Sequence, residues 1–64
     1  MKNYSSKEVI SILESDGWYL SSIKGDHHQF KHSTKPGKTT VPHPIKNLGV
    51  TVIKSISRQS GIKF

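Results

Sequence analysis

Hydrophobic spacing changes twice along this chain, from helical to alternating and back to helical. Val9, Ile10, Ile12 and Leu13 form one apolar stripe at helical spacing, and Ser5-Ser6-Lys7-Glu8 just before it has the form of a capping box. In such a box the Ser5 hydroxyl accepts from the Glu8 amide while the Glu8 carboxylate reaches back. Tyr4 and Val9 stand at the positions of a hydrophobic staple, and Gly17 is placed to end the helix in a left-handed turn. A first helix is therefore expected over about residues 5–16. Three short extended runs follow, Trp18 to Lys24, His27 to His32 and Lys38 to Val41. The first alternates imperfectly, with Trp18 and Leu20 on one face and Tyr19 and Ile23 on the other. Lys35-Pro36-Gly37-Lys38 carries proline and glycine where a type II turn prefers them, so the second and third runs are expected to form a hairpin. Pro42 and Pro44 then end the third strand. Val50 to Ser60 reads as a second helix, with Thr51 near its start, Val52, Ile53 and Ile56 inward, Lys54 and Arg58 outward, and Gly61 as its stop.

Helix, three strands, helix predicts an α+β fold in which two apolar helix stripes pack on one face of a three-stranded antiparallel sheet. The other face is left to solvent, and function is sought there. At 64 residues the chain has room for one domain, residues 1–64, with a small core. Strand alternation sorts the histidines. With Phe30 in the core, His28 and His32 share its side, whereas His27, Gln29 and Lys31 point to the open face. A slip of one residue would exchange the two sets, so His28 stands as the second choice behind His27.

Charge narrows the partners. Ten Lys and Arg against four Asp and Glu give a formal charge of +6, which favours a nucleic acid, an anionic membrane or an acidic protein. Neither predicted helix sets a Lys/Arg-lined face against a broad apolar one, and no apolar run approaches the roughly 20 residues of a membrane span, so no membrane role is expected. The absence of cysteine removes disulfides and thiolate metal ligands and suits a reducing compartment, with the cytoplasm as the expected location.

The segment Gly25-Asp26-His27-His28-Gln29-Phe30-Lys31-His32 gathers three of the four histidines. Imidazole is the side chain that takes and gives a proton near neutrality, and Gly25 allows a tight turn or the close approach of a ligand. His27 is the leading catalytic candidate. Each residue also has a plainer reading. A histidine in a basic patch is commonly an ordinary polar residue, and lysines commonly form a solvated surface. Trp18 and Phe30 are more naturally core than base-stacking rings, although with Tyr19 they are the candidates for a stacking platform. A metal held by His27, His28 and His32 is not expected, because successive strand residues diverge and Asp26 is the one carboxylate nearby. Ser55, Ser57 and Ser60 have no neighbouring base to make a nucleophile.

Three ordered motifs give the chain a resemblance to a known family. The Gly25–His32 segment, then Thr39-Thr40-Val41-Pro42-His43-Pro44, then Leu48-Gly49-Val50-Thr51-Val52-Ile53-Lys54-Ser55-Ile56-Ser57-Arg58-Gln59-Ser60-Gly61-Ile62 are similar to the HicA toxins of bacterial HicA/HicB toxin-antitoxin systems. That family's pattern is Gly-Ser-His, two residues and an aromatic; a Thr-Val-Pro-x-His strand end; and a helix resembling Gly-Thr-Leu-x-Ser-Ile-x-Arg-Gln-Ala-Gly. The resemblance implies a double-stranded-RNA-binding-domain-like α-β-β-β-α fold and an mRNA interferase held inactive by a HicB antitoxin that covers the active site. It places the family histidine on His27 and the family glycine on Gly25. Asp26 replaces the usual serine and sets a negative charge beside the imidazole and near any substrate phosphate. Gly49-Val50-Thr51-Val52 replaces a direct Gly-Thr-Leu, which leaves the start of the second helix open by a residue or two.

A metal-independent ribonuclease without a cofactor asks for a base for the ribose 2′-OH, an acid for the leaving 5′-oxygen, and cations for charge building on phosphorus. His27 is expected to supply the acid-base function, Lys24, Lys31 or Lys38 to stabilise phosphate, and Gln29 to offer a neutral hydrogen bond. The alternatives are a non-catalytic RNA-binding module of the same fold and a DNA-binding regulator reading bases through Lys54, Arg58 and Gln59.

Overall fold

The structure is a computed structural model and describes residues 3–64. Its elements are α1 (Ser6–Ser15), β1 (Trp18–Lys24), β2 (His27–His32), β3 (Lys38–Pro42) and α2 (Gly49–Ser60). The strands form an antiparallel sheet in the order β1-β2-β3, and both helices lie on one of its faces.

Helix α1 begins where the sequence predicts. Ser5 is its N-cap, the Glu8 amide donates to Ser5 Oγ at 3.1 Å, and the Ser5 amide donates to Glu8 Oε1 at 2.9 Å. The capping box thus satisfies two amides that the first turn leaves without helical partners. Gly17 follows with φ 98°, and a Cβ there would sit 2.8 Å from His32 Nε2. Glycine at this position serves both the left-handed turn and the approach of the His32 ring. Val9 and Leu13 of α1 and Ile53 and Ile56 of α2 meet Trp18, Phe30 and Val41 of the sheet in one core, closed by Leu48. Full burial of such side chains stabilises by about 1.5–3 kcal/mol each, which is how so short a chain holds together.

Two boundaries differ slightly from expectation. Strand β3 runs one residue further, to Pro42, because an edge strand tolerates proline. Helix α2 begins at Gly49, whose amide donates to Asn47 Oδ1 at 3.3 Å, rather than at Val50. It ends at Ser60 as expected, with Gly61, φ 73°, as its C-cap, whose amide donates to the Ser57 carbonyl.

One face assignment is corrected. The β1–β2 register shifts between Leu20 and Ser22, so that Leu20 pairs with Phe30 while Ile23 pairs with His28. A β-bulge at Ser21 inserts one residue and inverts the alternation beyond it. Ile23 therefore shares the helix side with Trp18 and Leu20, and Tyr19 is left on the opposite face without it. Leu20 and Ile23 remain 46% and 53% exposed.

The crossing from β3 to α2 is tied back to the rest. The Ser6 amide donates to the Ile45 carbonyl, and the Leu48 amide to the Tyr4 carbonyl, each at 2.9 Å. Lys35 Nζ donates to Asp16 Oδ2 at 2.6 Å and to the Ser60 carbonyl at 3.2 Å, joining the ends of both helices to the β2–β3 loop.

Candidate functional site

The β1–β2 connection fixes the edge of the site. Gly25 has φ 58° and Asp26 after it does not have a positive φ, no non-glycine among the described residues having one, the sign pattern of a two-residue type II′ hairpin turn with glycine first. Its second residue, Asp26, accepts the His43 amide on its carbonyl at 2.7 Å, which pins the turn to the exit of β3. His27 is thereby held at the start of β2.

Register then assembles the open face row by row. Lys24, His27 and Pro42 stand opposite one another across the three strands; Ser22, Gln29 and Thr40 form the next row; Tyr19, Lys31 and Lys38 form the third. Residues far apart in sequence, Lys24, Gln29, Lys31 and Lys38, thus share one surface with His27. The His27 side chain is 59% exposed and its Nδ1 lies 3.2 Å from Asp26 Oδ1. Gln29 is half-buried, and Lys24, Lys31 and Lys38 are exposed. Among the described residues none of these three lysines forms a salt bridge. Of the four acidic residues, Glu8 is in the α1 cap, Glu14 is on α1, Asp16 pairs with Lys35, and Asp26 alone borders this face.

The other histidines are placed differently. His28 lies on the helix side between Ile23 and Val41, its ring edge-to-face with His43 at 4.9 Å, and its Nδ1 is buried without a hydrogen-bond partner. His32 Nδ1 accepts from the Thr34 and Lys35 amides at 3.1 Å each, which leaves the proton on Nε2 to donate to the Asp16 carbonyl at 2.6 Å. That histidine holds the β2–β3 loop. His27, His28 and His32 are thus dispersed, and among the described residues no three metal-ligating side chains converge.

Sequence reasoning overlooked Ser6 and His43. Ser6 Oγ and His43 Nδ1 lie 2.6 Å apart, and Ser6 Oγ also accepts the Ile45 amide at 2.9 Å. The signal was present in the strand end Thr-Val-Pro-His-Pro, where histidine comes one residue before its place in the Thr-Val-Pro-x-His pattern. The Lys54, Arg58 and Gln59 set splits. Lys54 and Arg58 are solvent-exposed, whereas Gln59 Oε1 accepts the Thr40 amide at 3.0 Å and covers the edge of β3.

Helix, three antiparallel strands and helix, with both helices on one side and a basic, histidine-bearing sheet face on the other, define a double-stranded-RNA-binding-domain-like α+β fold. A family model then gives the chain its place. The model described as the HicA toxin of bacterial toxin-antitoxin systems matches residues 6–62, and the chain belongs to that family. Toxins of such systems act with a cognate antitoxin. Among the curated proteins nothing matches. No helix among the described residues is long and apolar enough to cross a membrane.

Proposed function

We propose that this chain is a metal-independent endoribonuclease, an mRNA interferase, whose open sheet face binds RNA and whose principal acid-base group is His27. HicA toxins are in general ribonucleases, which supports the class of reaction. The observation that carries the residue assignment is the register. It sets an accessible imidazole directly opposite Lys24, on the face that also bears Lys31 and Lys38.

RNA brings its own nucleophile, the ribose 2′-OH. The Asp26 carboxylate beside Nδ1 favours the tautomer that carries its proton there, leaving the Nε2 lone pair to take the 2′-OH proton. The 2′-oxygen attacks phosphorus, the P–O5′ bond breaks, and the 5′-oxygen leaves with the proton returned by the His27 imidazolium, giving a 2′,3′-cyclic phosphate and a 5′-OH. Lys24 is the nearest cross-strand cation to charge building on the phosphoryl oxygens, Gln29 offers a neutral hydrogen bond in the next row, and Gly25 lets the backbone approach the phosphate. A HicB-type antitoxin that covers this basic face with acidic side chains would silence the enzyme and block RNA with the same contacts.

His28 is less suited to the role, being turned toward the helices and against His43. Cleavage of a defined, unstructured RNA tests the assignment. His27→Ala should lower kcat by about 10²–10⁴ with EDTA making no difference, and the wild-type products should carry cyclic-phosphate ends. Undiminished cleavage by His27→Ala, or its abolition by His28→Ala alone, overturns the assignment. RNA retention without any product would mark a binding module instead.

A further inference from the structure

The third row of the open face holds Tyr19, the one Phe, Tyr or Trp of that face among the described residues. Trp18 and Phe30 are sealed in the core, and Tyr4 stands edge-to-face with Phe64 at 5.5 Å. Tyr19 by contrast is 53% exposed and makes no side-chain hydrogen bond or ring contact among the described residues. It stands opposite Lys31, which stands opposite Lys38. Two ammonium groups directly opposite each other on one sheet face oppose folding, and a large ring left in water contributes nothing to it. A bound polyanion with flat, stackable bases turns both features favourable.

We propose that Tyr19, Lys31 and Lys38 form a subsite for an unpaired ribonucleotide, with Tyr19 stacking on its base and the two lysines meeting its phosphates. This rests on the reading of the same face as the RNA-cleaving surface, and it names the substrate class as single-stranded RNA. Lys31 lies four positions along β2 from His27, roughly 13 Å at the usual strand rise, so the stacked base lies along the strand from the cleaved bond rather than at it. In an A-form duplex the base faces are stacked inside the helix, and a tyrosine on a flat sheet cannot reach them. Stacking is indifferent to base identity, so this subsite selects for an unpaired nucleotide and not for a sequence.

The test uses wild type, Tyr19→Ala, Tyr19→Leu and Tyr19→Phe, each checked by thermal melting. Two readouts are taken: kcat and KM on an unstructured RNA, and Kd for the same RNA made uncleavable by 2′-deoxy substitution at the scissile position. Removal of the ring in Tyr19→Ala and Tyr19→Leu should raise KM and Kd roughly 5- to 100-fold, while Tyr19→Phe stays near wild type. Annealing a complementary strand should weaken binding and erase the difference between the variants. Folded Tyr19→Ala that binds and cleaves like wild type overturns the subsite, as does wild type that binds duplex as tightly as single strand. So does a variant that loses antitoxin binding while RNA binding is unchanged. Ring-dependent binding of single strands without any cleavage would uphold the subsite and remove the endoribonuclease reading. Failure of the wild type to bind RNA removes both.

Discussion

Ser6 Oγ lies 2.6 Å from His43 Nδ1 and joins the first residue of α1 to the exit of β3. The same hydroxyl accepts the Ile45 amide at 2.9 Å, and the Ser6 amide donates to the Ile45 carbonyl at 2.9 Å, so one buried serine holds the chain reversal after the sheet. Ser6→Ala keeps the backbone bond but leaves the Ile45 amide and the imidazole without their partner. A loss of about 1–3 kcal/mol is expected, seen in urea as a lower midpoint with an unchanged slope.

His28 presents the complementary case. Its ring meets His43 edge-to-face at 85°, and its buried Nδ1 has no hydrogen bond to lose. His28→Ala should therefore cost stability, about 1 kcal/mol for the ring contact, while RNA cleavage measured well below the melting temperature persists. His27→Ala should do the reverse and leave the melting temperature nearly untouched, because its side chain is largely in solvent. A double dissociation of this kind separates a structural histidine from a catalytic one.

Much of this arrangement was legible before any coordinates. The capping box, the three glycines that end α1, open the β1–β2 turn and end α2, and the alternation of His27 against Phe30 are local rules, set by residues within a few positions of each other. Ile23 was misplaced because a bulge leaves no mark in a serine pair, Ser21-Ser22, that fits either face. Leu48, Ile62 and Phe64 contribute to the core from irregular segments, where periodicity says nothing. The Ser6–His43 and His32–Asp16 contacts join positions 37 and 16 residues apart, and only the folded register brings them together.

At the opposite end of the fold, Asp16 gives the protein a pH dependence. The hydrogen bond from Lys35 Nζ holds the Asp16 carboxyl below its ordinary range, assisted by the Lys35 charge and by the Trp18 indole, which donates to Oδ2 at 3.2 Å. A carboxyl whose pKa is lower folded than unfolded contributes stability above its unfolded value and loses it as pH falls through the folded one. Wild type should thus melt higher than Asp16→Asn at pH 7, and the gap should narrow below about pH 4. Both side chains are partly exposed, so high salt should narrow the gap as well. Melting curves of the two proteins from pH 7 to pH 2.5 provide the check, and a gap that widens with acid would contradict the ion pair's part in stability.

Asp26 stands where the family pattern has serine, and its consequences follow from charge and exposure. The carboxylate and the His27 imidazole are 67% and 59% exposed at 3.2 Å, a contact that water and salt screen heavily. Asp26→Ser should consequently leave thermal stability unchanged. Its effect belongs to the substrate, since a carboxylate at the edge of the face repels an arriving phosphate by about 1 kcal/mol at 4 Å in water. Removing it should lower KM for RNA by up to about fivefold and steepen the salt dependence of binding, because the basic face then attracts phosphate unopposed. Loss of the carboxylate that holds the proton on His27 Nδ1 should lower kcat in the same variant, so the two contributions separate, repulsion of phosphate reading out in KM and the imidazole tautomer in kcat. Steady-state cleavage of one RNA by both proteins at two salt concentrations resolves them. Unchanged kcat together with unchanged KM would show that the Asp26 carboxylate influences neither the imidazole nor the bound phosphate.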